Sequence, residues 1–566
     1  MASQSMYDVI VVGSGAAGGI AAYVLATKGL KVLCLEAGRM LDPAKDFYPH
    51  KFAYEWPYRG QGKPGQYGKL PWGMEWKIKE WTDHLYTIPA EDPYALAPGA
   101  DFTWTRLRAV GGRTNLWGRE TLRFGPLDFK AKSLQDGWGE DWPLSYDDLA
   151  PYYDRVETLI GVANGSDDVY NSPIGKNLLP PFNPRCGELL LKKGAAKLGL
   201  KAVHKPLAVL SRPYDGRPAC HYCGACNCGC DTRSRYCSAE VLIPKLQGLP
   251  NFTLRANSVV HTVLMDGNTG KARGVTYIDA ENKQEYEAYA KVVVLAPSMV
   301  ESIRILFNSR NWDYSQGLAN SSGVLGHYVM DHVAFDGIEG FHPELAGRPT
   351  TNDDGPGEAV LYIPRYNYGH RDQKKYLRGW LLLLYSGCEP GPGVGAGMPG
   401  FGSAYKKRIK ELYPAGVSID AYGEGLALHS NYVEIDPDGL RDRCGIPQVR
   451  FHTDAKYDHA LALMEEMYDQ CEQVLRASGA EIPPYKRQGP KPLGGVTHEA
   501  GGCRMGDDPK TSILDQWNRC HDVKNLLVVD ASCFVTHPEK PITHTIMALA
   551  CRASDHLAEE FRLGNI

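Results

Sequence analysis

Five cysteines stand within eleven residues in the stretch CHYCGACNCGC, at 220–230, and Cys237 follows soon after. Four of them carry the spacing Cys220-x2-Cys223-x2-Cys226-x3-Cys230. Bacterial ferredoxins use that spacing to wrap an iron–sulfur cluster, although the proline that often follows is missing here. Such a loop presents several thiolates at once while its N–H groups face the sulfides, and the chemistry it suggests is one-electron transfer. In two-cluster ferredoxins the fourth cysteine of such a run serves the other cluster. Cys230 is therefore the least secure ligand, with Cys228 and Cys237 in reserve. Two other chemistries stay open. Zinc prefers two separated CxxC or CxxH knuckles, and this is one tight run. Cysteines three apart rarely meet disulfide geometry with each other, so bridges would need distant partners.

A second constellation lies near the N-terminus. Gly13-Ser14-Gly15-Ala16-Ala17-Gly18 follows the apolar run YDVIVV, and Glu36 stands about 20 residues beyond the loop. Gly13 permits a tight turn, Gly15 lets a pyrophosphate approach the backbone, and Gly18 allows close helix–strand packing. The helix N-terminus would face the phosphates with unpaired N–H groups, and Glu36 would accept from ribose hydroxyls. An ordinary βα turn is the plainer reading, but the strand before, the helix after and the acid beyond all favour a dinucleotide. These residues do not separate NAD from FAD.

The elements that must position these groups are legible in outline. YDVIVV reads as a buried strand, GIAAYVLATKGL as a helix and KVLCLEAG as a second strand. AKVVVLAPSMVESIRILFNS (290–309) repeats the strand–turn–helix rhythm. NLLVVDASCF (525–534) adds a strand, and ITHTIMALACRASDHLAEEF (542–561) an amphipathic terminal helix. The nucleotide domain is thus assembled from pieces spread along the chain. Residues 335–490 are rich in Tyr, Gly and Pro, with short alternating runs such as AVLYIP and WLLLLYS, and read as a mostly antiparallel sheet. The expected fold is α/β (α+β), a discontinuous Rossmann-like domain with an intergrown sheet domain. Residues 1–334 would hold the nucleotide segments and a Cys-rich insertion near 186–240. Residues 335–490 would form the substrate sheet, and 491–566 a C-terminal nucleotide and catalytic segment.

Three further stretches decide the cofactor. RLRAVGGRTNLWGRETLRF (106–124), THEAGGCRMGDDP (497–509) and VVDASCFVTHPEKPITHTIMALA (528–550) join the N-terminal fingerprint. Together they resemble the glucose–methanol–choline family of flavin oxidoreductases, over nearly the whole chain. Within that family the resemblance is greatest to bacterial glucoside 3-dehydrogenases and the large subunits of gluconate and fructose dehydrogenases, which carry a similar cysteine cluster. The resemblance implies FAD, with cofactor-binding positions at Gly111, Gly112, Asn115 and Asp530 beside Gly13, Gly15, Gly18 and Glu36. It implies oxidation of a sugar or glycoside secondary alcohol, such as a 3-hydroxyl, to a ketone.

That reaction needs a base of near-neutral pKa for the hydroxyl proton while hydride leaves the carbon. His498 matches the family's base by its place before Ala-Gly-Gly-Cys-Arg-Met-Gly. The sequence departs from the family at two points. Some relatives attach FAD covalently through a histidine where Leu116 stands here, so the FAD is expected to be noncovalent. The position of the family's second catalytic Asn or His is matched by Pro541, leaving His544 and His537 as the nearby candidates. Either could equally be a packing residue. Trp56, Trp72, Trp76 and Trp81 could stack on sugar rings, though most such aromatics fill cores.

The chain is long enough for two or more domains, and its 43% hydrophobic and 23% charged residues fit a globular protein. A net charge of −4 without a basic run argues against nucleic acid as partner. No apolar stretch approaches the roughly 20 residues that span a bilayer. No signal peptide of its own is read, so the expected location is the periplasm by co-export with a partner subunit, or the cytoplasm. The expected partners are a cytochrome c or another one-electron acceptor subunit, and a small subunit. An oxidase with structural cysteines, or a non-catalytic electron-transfer flavoprotein, are the alternatives. His498 argues against the second.

Overall fold

A computed structural model describes residues 6–47, 55–60, 62–66, 70, 74, 78–167, 169–224, 226, 229–349, 355–368, 375–387 and 398–566. Trp72, Trp76 and Cys228 lie outside the described residues.

The strand Tyr7–Val12 lies at the centre of a seven-stranded sheet. Its last four side chains are buried, as expected of a parallel strand covered on both faces. Val32–Leu35 pairs parallel on one side of it, and Phe252–Arg255 pairs parallel beyond that. On its other side runs the C-terminal half of Glu285–Leu295, which also pairs with Leu526–Val528. Five strands from widely separated parts of the chain therefore make one parallel sheet. The helices Ala16–Thr27 and Met299–Asn308 follow their strands, and the terminal helix Thr543–Leu563 packs against the first of them. An antiparallel hairpin, Ser258–Asp266 with Lys271–Asp279, extends the sheet along the N-terminal half of Glu285–Leu295. The sequence reading did not contain this hairpin.

The second sheet is antiparallel throughout, in the order Ile338–Phe341, Gly416–Gly423, Trp380–Ser386, Leu361–Ile363, Val203–His204. Val203–His204 comes from well before residue 335, so the chain enters this sheet earlier than the Tyr- and Gly-rich composition suggested. Its strands alternate. In Gly416–Gly423 the residues Val417, Ile419 and Ala421 are buried in the core with Leu463 and Met467 of the helix Asp458–Ser478. The intervening Ser418, Asp420 and Tyr422 line a large cleft between the two sheets. In the register of the neighbouring strand, Tyr385 stands opposite Ser418 and lines the cleft too. The period of two thus gives one sheet a dry face for the core and a polar face for a ligand.

Candidate active site

The cleft has a volume of about 2010 Å³ and runs from the glycine loop to His498. Ordinary ligand sites need about 300–1,000 Å³, so it has room for a dinucleotide and a second molecule. At the nucleotide end Gly13 has φ +90°, and a Cβ there would lie 2.5 Å from the carbonyl oxygen of Ala296. Only glycine fits. At Gly18 a Cβ would come within 2.0 Å of the Gly13 oxygen, so the helix can approach the strand only without a side chain. Gly15 is different. A Cβ there would meet nothing closer than 3.9 Å, and the position opens onto the cleft. The Glu36 carboxylate, at the end of its strand, accepts from Ser14 N (3.0 Å), Ser14 Oγ (2.6 Å) and Gly38 N (2.9 Å). Burial pushes its pKa up and these hydrogen bonds oppose that. Asp530 lines the cleft, accepts from Ser302 Oγ (2.5 Å) and caps the turn at Ser532 (3.0 Å).

These residues fit FAD. The buried Arg106 reinforces the fit: it lines the cleft, and its Nε and Nη1 have no hydrogen-bond partner. Burial lowers its pKa to about 10, and an anionic phosphate would supply the missing acceptor. The second glycine loop contributes Gly112, φ +51°, whose Cβ would lie 3.3 Å from Gly15 Cα. Gly111 and Asn115, expected as cofactor contacts, do not line the cleft. Gly111 N donates to Ser14 Oγ (2.9 Å). Asn115 spends its amide on Val110 O (2.9 Å) and Gly112 O (2.8 Å), and accepts from the Cys237 thiol (3.2 Å). Both shape the loop and do not reach the cavity. Leu116 lines the cleft and has no nucleophile to offer. Trp81 is on the wall as well.

At the far end His498 is half-buried and lines the cleft. Thr497, just before it, has φ +65°, a left-handed conformation unusual for a β-branched residue. Arg113 secures this bend, donating from Nη1 to Thr497 O (3.1 Å) and to Glu499 (2.7 Å). His332, which no motif announced, places Nδ1 at 3.0 Å from Nδ1 of His498. Its other nitrogen, Nε2, is 2.9 Å from Pro538 O. Tyr422 stacks on His332 and meets His498 edge-on at 5.8 Å.

The other two histidine candidates sit elsewhere. His544 is fully buried on the terminal helix, with Nδ1 2.8 Å from Thr121 O and its ring against Tyr153. Burial, with Arg123 nearby, lowers its pKa to about 3. His537 is also fully buried, and its Nε2 lies 2.7 Å from the His498 carbonyl. Burial lowers its pKa to about 4. Neither ring lines the cleft. Their nearness to the final helix was visible in sequence, but His544 points inward from that helix, and His537 lies in the segment before it, bridged to Gly425. Pro541, Ile542 and Thr543 form that part of the wall.

Among the described residues, one group of potential metal ligands lies within 4.8 Å: Asp331, His332 and His537. Most of its hydrogen-bonding capacity is already used, with His537 Nδ1 the exception. Asp331 accepts from His332 N (2.8 Å) and Val496 N (3.2 Å), and three of the four imidazole nitrogens are hydrogen-bonded. This is a hydrogen-bonded network that holds the His498 segment.

The cysteine loop borders the same cleft through Gly224. It curls by positive φ at Tyr222, Gly224 and Gly229. Tyr222 N donates to Cys220 Sγ (3.4 Å). Cys226 and Cys230 are buried within electrostatic reach of Arg119, which pairs with Glu358 (2.8 Å) on the cleft wall. No disulfide joins the described cysteines. Cys237, held in reserve as a ligand, stands at the N-cap of the helix Ser238–Gln247 and is buried against Thr114 and Asn115 of the second glycine loop.

Two family models described as GMC oxidoreductase match residues 7–334 and 428–550. The chain belongs to the GMC oxidoreductase family. As a GMC oxidoreductase it is an FAD-binding enzyme that acts on CH–OH groups. It is similar to 2-methyl-1,2-propanediol dehydrogenase of Mycolicibacterium austroafricanum, at 28% identity over 99% of this chain and 96% of that one. It is 27% identical to the fructose dehydrogenase large subunit of Gluconobacter japonicus, over 98% of both. Paromamine 6'-oxidase of Streptomyces fradiae is 29% identical, over 98% of this chain and 91% of its own. In fold it is similar to pyridoxine 4-oxidase from Mesorbium loti, with TM-score 0.61 and 19% identity over 98% of this chain and 99% of that chain. A GMC oxidoreductase thus has its cofactor loops, its histidine network and a thiol-rich loop on one cleft. No helix among the described residues is long and apolar enough to cross a membrane.

Proposed function

We propose that this GMC oxidoreductase is a dehydrogenase that oxidises a secondary alcohol of a sugar or glycoside to a ketone and passes electrons singly to a partner. The observation that carries this reading is the cleft itself, which His498 and the cysteine loop both border. Bound FAD, held without a covalent link, supplies the hydride acceptor. His498 takes the hydroxyl proton as the hydride leaves the carbon. The wall beside it carries Tyr385, Tyr422, Asp420, Ser418, Glu120 and Glu358, a set of donors and acceptors suited to a polyol and poorly suited to a long apolar alcohol. Burial raises the Asp420 carboxyl to about 6, so at neutral pH it is mainly an acceptor.

Cys220, Cys223, Cys226 and Cys230 are the proposed holders of an iron–sulfur cluster, which supplies single-electron chemistry when bound. The four cysteines stand in one tight run, the spacing that wraps a cluster, whereas zinc prefers two separated knuckles. Burial beside the other cysteines pushes the Cys220 thiol up to about 12. The electron acceptor would be a cytochrome c or a comparable subunit, since a large subunit of a dehydrogenase is among the relatives.

An oxidase is the second reading, favoured by the similarity to paromamine 6'-oxidase. One experiment separates the two. Protein prepared without air is assayed for iron, sulfide and flavin spectrum, then for sugar oxidation with an artificial acceptor or with oxygen. The dehydrogenase contains iron and sulfide, releases its flavin on acid precipitation and reduces the acceptor with little peroxide. Stoichiometric peroxide without iron or sulfide establishes the oxidase.

A further inference from the structure

We propose that His332 is a positioning residue that fixes the tautomer of His498 through the hydrogen-bonded chain Pro538 O, His332, His498. This rests on reading His498 as the base. The reasoning starts from the carbonyl of Pro538, which can only accept. At 2.9 Å it requires a proton on Nε2 of His332. The His332 ring is buried, and burial together with the adjacent His537 and His498 holds its pKa well below the usual value. It is therefore neutral and has one N–H, already committed to Pro538. Its Nδ1 is left as an acceptor.

The contact between the two Nδ1 atoms, at 3.0 Å, then has a single direction. His498 donates from Nδ1, and its lone pair is on Nε2. His498 lines the cleft, so the basic nitrogen belongs to the ring that faces substrate. When the substrate hydroxyl gives its proton to Nε2, the ring becomes an imidazolium with two N–H groups. The existing Nδ1–H bond to His332 becomes charge-assisted and stronger. His332 itself neither gains nor loses a proton.

The geometry of His332 is over-determined. Tyr422 stacks on one face at 5.2 Å, with 19° between the planes. His537 meets the ring edge-on at 4.3 Å. The backbone N–H of His332 is held by Asp331 Oδ1 at 2.8 Å. The titratable groups facing the pair are thus His537, Tyr422 and Asp331, with Arg113 and its partner Glu499 on the His498 side. None of these is altered in the variants below. A base with the wrong tautomer loses most of its activity even when its position is intact.

Two substitutions separate the acceptor from the anchor. In His332→Asn the side-chain oxygen can replace Nδ1 as acceptor for His498, while the bond to Pro538 is lost. In His332→Gln the amide nitrogen can replace Nε2 at Pro538, while the acceptor for His498 is lost. The Gln variant is expected to retain FAD and to lose kcat/KM by about 10- to 100-fold. Its acidic limb moves to lower pH, because the imidazolium of His498 has lost a stabilising acceptor. The Asn variant is expected to recover most of the rate and the wild-type limb. The proposal is overturned if Gln matches or exceeds Asn, or if both lose rate equally with unshifted limbs, which is the mark of a purely structural role. His498→Ala is run alongside. If it keeps normal turnover, the reading of His498 fails; if it is inactive while both His332 variants behave as wild type, only the present proposal fails.

Discussion

The two ends of the cleft are built by different means. At the nucleotide end the main chain does much of the work: Gly13, Gly18 and Gly112 bring backbone close to backbone, within two short loops. At the histidine end side chains do the work, and they come from far apart. His332 and His498 are 166 residues apart, and His537 reaches the His498 carbonyl across another 39. A backbone cradle is written in consecutive residues. A side-chain network exists only once sheets and helices have packed. One end rests first on its glycines, with Glu36 and Asp530 tying the loops, whereas the other rests on the identity of each ring.

The largest expected effect is at the histidine end. His498→Ala should lower turnover by roughly 10²–10⁴-fold, the usual contribution of a positioned base. Flavin content should be unchanged, because His498 does not build the nucleotide cradle. Anaerobic bleaching of the flavin by substrate is the measurement, and bleaching at the wild-type rate would show that the histidine network serves the fold alone.

Gly15→Val probes the opposite end. The position opens onto the cleft, so a branched side chain would occupy space the pyrophosphate needs. FAD affinity should fall tenfold or more, at least about 1.4 kcal/mol. Whatever enzyme retains flavin should turn over normally. Full occupancy in the purified variant would refute the cradle. A loss of turnover in flavin-loaded enzyme would mean that the two ends are not separable.

This contrast also explains what was legible in sequence. The strand–loop–helix at 7–27 and the alternating strands of the second sheet were visible because periodicity and glycine spacing are local. So were Gly13 and Gly18, whose backbones make the tight turn and the close helix–strand approach that their spacing implied. Gly111 and Asn115 do not line the cleft: a motif marks a loop, but only packing decides which of its residues face the cavity. His544 and His537 are candidates because they lie close in sequence to the final helix; the helix turns His544 into the core, and the bridge to Gly425 holds His537 there. His332 could not have been found by any local pattern, since its role comes from contacts with Pro538 and His498. The period of two in Gly416–Gly423 did carry the signal for Tyr422, because the residues between Val417, Ile419 and Ala421 had to face away from the core.

The cysteine loop adds a third element to the comparison, since it touches the cleft but not the His498 network. Cys223→Ser should leave hydride transfer to flavin unchanged and reduce electron delivery to a cytochrome by about an order of magnitude or more. Stopped-flow flavin reduction and cytochrome reduction are measured on the same preparation, with iron content as control. A parallel loss in both rates would show that the loop serves the active site structurally, and the relay would be set aside.

The smallest effect concerns His544, and it tests whether this ring stands outside the cleft. Its neutral form is buried, with a pKa lowered by burial to about 3, while in the unfolded chain it titrates near 6.5. Below that value the unfolded chain takes up a proton that the folded chain refuses, so stability is lost as pH falls from about 6.5 towards 3. The slope is about 1.4 kcal/mol per pH unit for this group. His537, lowered to about 4, adds its own loss between about 6.5 and 4 in both proteins compared here. His544→Asn keeps a donor for Thr121 O and removes the titration. At pH 7.5 the variant should be less stable by about 1–2 kcal/mol, from packing lost against Tyr153. At pH 5 the wild type has given up about 2 kcal/mol through His544 that the variant never held, so the gap should close. Urea unfolding of both proteins at the two pH values measures it. A gap that stays constant would mean the ring is not held neutral in the fold. Turnover of the folded variant at pH 7.5 decides the rest: a rate near wild type keeps His544 in the core, and a collapse with FAD still bound would return it to the substrate side and remove the distinction between the two ends drawn from its burial.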